Sequence, residues 1–157
     1  MHVSDIEEET RDIDWFALDS EGFVGHFTTG GRGALPRSIA SSAEDLKRVT
    51  DYFSKQISAN TSSVISSGVE LHVSLRDEAQ RARYLEDFKR MACRGLFSFD
   101  FLQTSKRPTG YFLVAKPLIP LHVGGIREDI RQVLERTVFE RIAFRQIDDP
   151  IPEAEGW

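Results

Sequence analysis

Large apolar residues crowd both faces of two short runs near the start of the chain. In Ile13–Leu18, Trp15 alternates with Phe16 and Leu18, and in Phe23–Thr28, Phe23 and Phe27 alternate with Val24. A half-solvated strand keeps a polar face, so this pattern predicts that at least part of the hairpin is covered on both sides. Asp19-Ser20-Glu21-Gly22 joins the runs, and Gly22 accepts a left-handed conformation without a Cβ clash. Further on, Leu46, Val49, Phe53 and Ile57 recur at helical spacing behind Ser42, a cap residue with Asp45 three positions on. "ANTSSVISSG" reads as a polar loop, and "VELHVSL", residues 69–75, as a short alternating strand. A second helix follows over residues 76–95, starting near Arg76 or Asp77 and ending at Gly95. Its buried face is predicted at Ala82, Leu85, Phe88 and Ala92, with Tyr84 and Met91 at the margins.

Phe97, Phe99 and Phe101 alternate with Ser98 and Asp100 as in a half-buried strand. After the loop "TSKRPTG", the run "YFLVAKPLIPL" predicts another strand. Pro117 and Pro120 cannot donate ladder hydrogen bonds, so its end belongs at an edge or in a turn. Ile126, Ile130, Val133, Leu134 and Val138 give a third helix, and Glu140–Ile147 a final strand. The resulting order, β-β-α-β-α-β-β-α-β, predicts an α+β fold with a mostly antiparallel sheet and about three helices packed against it.

Length and composition make this one domain: 157 residues, 40% hydrophobic, suffice for a single core. The net charge of −5 is unevenly spread. Residues 1–21 hold eight acids against Arg11, residues 148–157 hold four acids and no base, and the segment between is net basic. Acidic, flexible ends are therefore expected at 1–11 and 148–157, read chiefly as solvated tails and alternatively as shielding the basic middle or steering a basic partner toward it. The first residues have neither the basic start nor the apolar run of a secretory signal, and no stretch is apolar enough to span a bilayer. With Cys93 as the single cysteine, the expectation is a cytoplasmic protein without disulfides, metal, cofactor or membrane contact.

The segment that invites a chemical reading is "GHFTTGGRGALP", residues 25–36. A phosphate-binding Walker loop needs G-x-x-x-x-G-K-[ST], and no Lys-Ser or Lys-Thr follows these glycines. The glycines are read chiefly as serving backbone geometry where the hairpin hands over to Pro36 and the first helix; the alternative is an anion nest of Thr28, Thr29, Arg32 and the glycine amides. His2, His26, His72 and His122 lack metal-site spacing. Asp12-x-Asp14 places two carboxylates on one side of a strand, and Asp19-x-Glu21 places two in a turn, both read chiefly as surface acids. Cys93 lies near a helix end that does not lower a thiol pKa, and no G-x-S-x-G elbow occurs, though a dispersed triad stays open. Arginines of the second and third helices are interleaved with Glu and Asp, as on solvated faces, which disfavours nucleic acid.

The stretches "DWFALDSEGFVGHFTTGGRGALP" and "GYFLVAKPLIPL" resemble small bacterial proteins loosely associated with the immunity side of toxin–immunity systems. The resemblance rests on Trp15 to Asp19, Gly22, Gly30, Gly31, Gly33 and Pro36, then Tyr111, Pro117, Pro120 and Leu121, about a third of the chain. It implies a non-enzymatic inhibitor that binds a basic partner protein, and it brings no catalytic residues. Candidate ligand- or partner-binding residues are Arg32, Thr29 and His26 on the glycine loop and Asp19 and Glu21 in the hairpin turn. Two other expectations stay open. One is a small-molecule or anion-binding module, enzymatic or not, built on the 25–36 loop. The other is a homodimer in which an edge strand carrying Phe97, Phe99 or Phe101 is covered by its twin.

Overall fold

The computed structural model describes residues 1–4, 11–31, 34–102 and 109–153. Six strands form one sheet: β1 (Asp14–Leu18), β2 (Val24–Thr28), β3 (Ser63–Ile65), β4 (Phe97–Leu102), β5 (Gly110–Pro117) and β6 (Ile151–Pro152). Four α-helices accompany it: α1 (Arg37–Ala40), α2 (Ala43–Asp51), α3 (Glu78–Ala92) and α4 (Glu128–Leu134), with α2 running into a wide turn over Tyr52–Gln56. The spatial order is β1-β2-β4-β5-β3, and β6 also pairs with β5. Only β2 and β4 run parallel; the other pairs are antiparallel. The α+β class and the mostly antiparallel sheet are as the sequence pattern predicts.

The predicted caps form. The Ser42 hydroxyl accepts the Asp45 N–H at 3.1 Å, and the Asp77 carboxylate accepts that of Gln80 at 2.8 Å. Gly95 closes α3 with φ +95°. Both faces of the sheet are covered, as the hairpin's doubled apolar pattern requires. On one face Trp15, Phe27 and Phe99 stand side by side in register, with ring centroids 4.3 and 4.7 Å apart. Leu35, Ile39 and Phe144 close over them. On the other face Phe16, Leu18 and Val24 pack under Val49, Phe53, Ile130 and Leu134, while Leu85, Phe88 and Ala92 of α3 meet Phe112 and Val114.

Several expectations need correction. The strand expected at residues 69–75 is a 3-10 turn at Val69–Leu71, whose amides bond locally: Leu71 N–H to Gly68, His72 and Val73 N–H to Val69. The strand lies earlier, at Ser63–Ile65 inside the polar stretch, and takes β5 at 115–117 while β6 takes it at 110–111. That edge is thereby shared out, and residues 69–75 find no ladder to join. Glu140–Ile147 is likewise not a strand. It is a strap with a 3-10 turn at Phe144–Gln146, drawn over the aromatic face, and the last strand is β6, within the end expected to be flexible.

Helix α4 is shorter than its apolar stripe, because Val138 leaves it to bridge Leu18 on the outer edge of β1. Ala82 is exposed and Met91 is buried, so α3 turns slightly differently from the predicted face. Phe97, Phe99 and Phe101 lie on β4, which is paired on both sides and buried on both faces. Their strand is internal, so the homodimer seam proposed for them has no edge to use. Pro117 ends β5, as its missing N–H demands.

Candidate functional site

Strand alternation sends Asp14, Thr28 and Asp100 in one row, and Phe16, His26 and Ser98 in the next, to the helix-covered face. Helix α3 brings Tyr84, Asp87 and Phe88 over the first row at spacings that share a helix face. The two elements do not close fully. Between them lies a cleft of about 420 Å³ lined by Asp12, Asp14, His26, Thr28, Gly30, Tyr84, Asp87, Phe88 and Asp100. Four of these nine residues are aspartates and none is a lysine or arginine.

The carboxylates are held in different ways. Asp12 Oδ1 accepts the Thr28 hydroxyl and the Gly30 N–H, the latter at 2.9 Å. Asp100 accepts the Tyr84 hydroxyl at 2.7 Å on Oδ2 and the Phe101 N–H at 2.8 Å on Oδ1. Burial pushes the Asp100 carboxyl above the ordinary range, with repulsion from Asp12 adding to it and the two hydrogen bonds opposing it. Burial, and then the neighbouring Asp100, push the Tyr84 phenol upward, so it remains the donor of that pair. Asp14 and Asp87 keep carboxylates 43% and 73% exposed, and Asp87 pairs with Arg90 at 2.7 Å.

His26 is the buried base of the cleft, its side chain 3% exposed. Nδ1 lies 2.6 Å from Ser98 Oγ, while Nε2 has no hydrogen-bond partner, although Asp14 Oδ1 is 3.3 Å away. Ser98, His26 and Asp14 lie next to one another like the members of a Ser-His-Asp triad drawn from dispersed positions, but the ring nitrogens are exchanged and no hydrogen bond joins Nε2 to Asp14. The arrangement does not place a nucleophile, because Ser98 is fully buried in β4 and is not among the residues that line the cleft. What the cleft contains is an unsatisfied buried ring nitrogen beneath a ring of acids. Among the described residues no three His, Cys, Asp or Glu side chains converge to hold a metal ion.

The residues singled out from the sequence divide. His26 lines the cleft, and Asp12 and Asp14, the pair read as surface acids, form its rim. Thr29 is fully buried and ties the chain together: its hydroxyl accepts the Ile13 N–H at 3.0 Å and donates to the Arg11 carbonyl at 3.3 Å. Arg32 lies outside the described residues. Gly33 of the alternative anion nest also lies outside the described residues, and the two described glycine amides are engaged within the chain: Gly30 N–H serves Asp12 and Gly31 N–H faces the Thr29 hydroxyl at 3.4 Å. Gly30 and Gly31, at φ +61° and +78°, bend the backbone so that these amides face the chain's own acceptors.

Asp19 and Glu21 sit at the other end of the hairpin. Asp19 is 2% exposed, not a surface acid: it accepts the N–H groups of Glu21 and Phe23 at 2.9 Å and of Phe144 at 2.8 Å. Glu21 is ion-paired with Arg145 at 2.6 Å, which holds its carboxyl below the usual range. Sequence reasoning missed Asp100, Tyr84 and Asp87. The signals were an acid inside an otherwise aromatic strand, "FDF", and a Tyr and an Asp on the same face of α3 as Phe88.

Comparison with known proteins returned no matching family model, no matching curated protein and no matching solved structure. No helix among the described residues is long and apolar enough to cross a membrane.

Proposed function

We propose that the chain is a non-enzymatic binding protein that takes a cationic side chain of a partner protein into the aspartate-lined cleft between β1, β2, β4 and α3. The observation that carries this reading is the cleft itself: four aspartates, no lysine or arginine, and the buried His26 Nε2 left without a hydrogen bond. An arginine or lysine entering there meets acceptors already fixed by Thr28, Gly30 and Tyr84, so little ordering cost falls on the protein. The resemblance to proteins of toxin–immunity systems would make the partner a basic toxin, and net charge −5 favours fast encounter with one.

Fluorescence anisotropy with a labelled arginine-rich peptide tests the cleft. Asp14→Asn with Asp87→Asn, both at partly exposed carboxylates, should weaken binding by about tenfold or more while leaving the fold intact. From a lysate of the native host, wild-type protein should then enrich a basic protein that this double variant does not. Equal peptide affinity for wild type and variant would remove the cleft from the account.

A further inference from the structure

A second cleft, of about 520 Å³, opens between α1 and the strap that follows α4, and its charge is the reverse of the first. Arg37, Arg136 and Arg141 line it against a single carboxylate, Glu140. In a chain of net charge −5, three guanidinium groups around one hollow is a local inversion of the overall balance. The groups are not equivalent. Arg136 is already committed, its Nη1 donating to Asp45 Oδ2 at 2.7 Å. No ion pair or hydrogen bond joins the Arg37 or Arg141 side chain to any described residue, and both residues are exposed.

The walls are fixed. The Ser38 and Thr137 hydroxyls are 2.5 Å apart and tie α1 to the strap. The Thr137 carbonyl accepts the Leu18 N–H, which anchors the strap to β1. Between the arginines the lining is apolar, with Pro36, Val138, Phe139 and Ile142. Val138 is 41% exposed, an open apolar surface in the same cleft as Arg37 and Arg141. Small-molecule sites typically span about 300–1,000 Å³ and combine an apolar lining with a few polar groups that orient the ligand. Guanidinium is the group best matched to a carboxylate or phosphate, through paired N–H donors.

We infer that this cleft binds a small organic anion, a carboxylate or phosphate carried on an apolar body about the size of one aromatic ring. Arg37 and Arg141 take the anionic group, and Val138 and Phe139 take the body. The site is independent of the aspartate cleft.

Amide chemical shifts of the intact protein, titrated with phenyl phosphate, test the inference, with benzoate, inorganic phosphate and benzyl alcohol as separate arms. Expected are saturable shifts at Ser38, Val138 and Phe139, and an affinity loss of about tenfold or more in each of Arg37→Ala and Arg141→Ala. Asp14→Asn with Asp87→Asn should leave the titration unchanged. Preference for benzoate over phenyl phosphate assigns the carboxylate class, and the reverse assigns the phosphate class. Inorganic phosphate binding as tightly as phenyl phosphate overturns the role of the apolar lining, and benzyl alcohol doing so overturns that of the arginines. Absence of saturable shifts, or shifts that persist in the Arg37→Ala/Arg141→Ala double variant, overturns the site.

Discussion

Asp19 shows how one buried carboxylate can organise two distant parts of the chain. Its Oδ1 holds the hairpin turn through Glu21 and Phe23, and its Oδ2 holds Phe144, 125 positions away. In Asp19→Asn the amide oxygen can keep the turn, but the amide nitrogen cannot accept from Phe144. Urea denaturation should therefore show a loss of about 1–3 kcal/mol for Asn, and a larger one for Ala, which orphans all three N–H groups. An Asn variant as stable as wild type would mean that the strap does not depend on this bond. The sequence made Asp19 stand out, but for the wrong role. A turn aspartate beside glycine looks exposed until the strap that buries it is known, and nothing local announces a strap.

Asp100 offers a second test at this scale. Burial raises its native pKa, so the folded protein holds that proton more tightly than the unfolded chain does. Its contribution to stability is full below the ordinary value of about 3.9 and is lost as pH rises through the raised native value. Asp100→Asn never ionises. Relative to wild type it should gain stability as pH rises from about 4 toward neutrality, read from urea midpoints across that range. A difference that stays flat with pH would show that Asp100 ionises as an ordinary carboxylate.

Among the elements, legibility followed length and repetition. Strands β1, β2, β4 and β5 and helices α2 and α3 each carry several apolar residues in phase, and their places were readable. Strands β3 and β6 have three and two residues, too few to show a period, and they are strands only because β5 offers them an edge. Residues 69–75 show the converse, a good period without a vacant edge. The grip of β6 on β5 is close: a Cβ added at Gly110 would overlap the backbone carbonyl of Ile151. Gly110→Ala should consequently release β6 and expose Ile151 and Tyr111, now 2% and 0% exposed. Limited proteolysis should then cut near residue 150 much faster than in wild type, with the rest of the domain intact. Unchanged cleavage would show that β5 can shift to accommodate the methyl group.

Across the whole molecule, the uneven charge seen in the sequence becomes two clefts of opposite sign among the described residues. The acidic start of the chain is not merely a solvated tail, since Asp12 and Asp14 are set into the cleft wall by Thr28, Gly30 and β1. The sequence showed the acids but not their convergence, because Asp87 and Asp100 reach them only through the parallel β2–β4 pairing and the lie of α3. General attraction between a protein of net charge −5 and any basic probe must be separated from use of that cleft. Asp14→Asn/Asp87→Asn and Glu128→Gln/Glu135→Gln change net charge equally, but the second pair lies on or beside α4, outside the cleft. Both should slow association with the arginine-rich peptide modestly, through the long-range field. Only the first should speed dissociation, since removing contacts acts mainly on the off-rate. Added salt should shrink the shared on-rate effect, because long-range attraction is screened beyond a Debye length of about 8 Å at physiological ionic strength. The off-rate difference should persist. If stopped-flow kinetics gave the two variants the same off-rate, the peptide would be held by net charge alone, and the cleft would lose its claim to be the binding site.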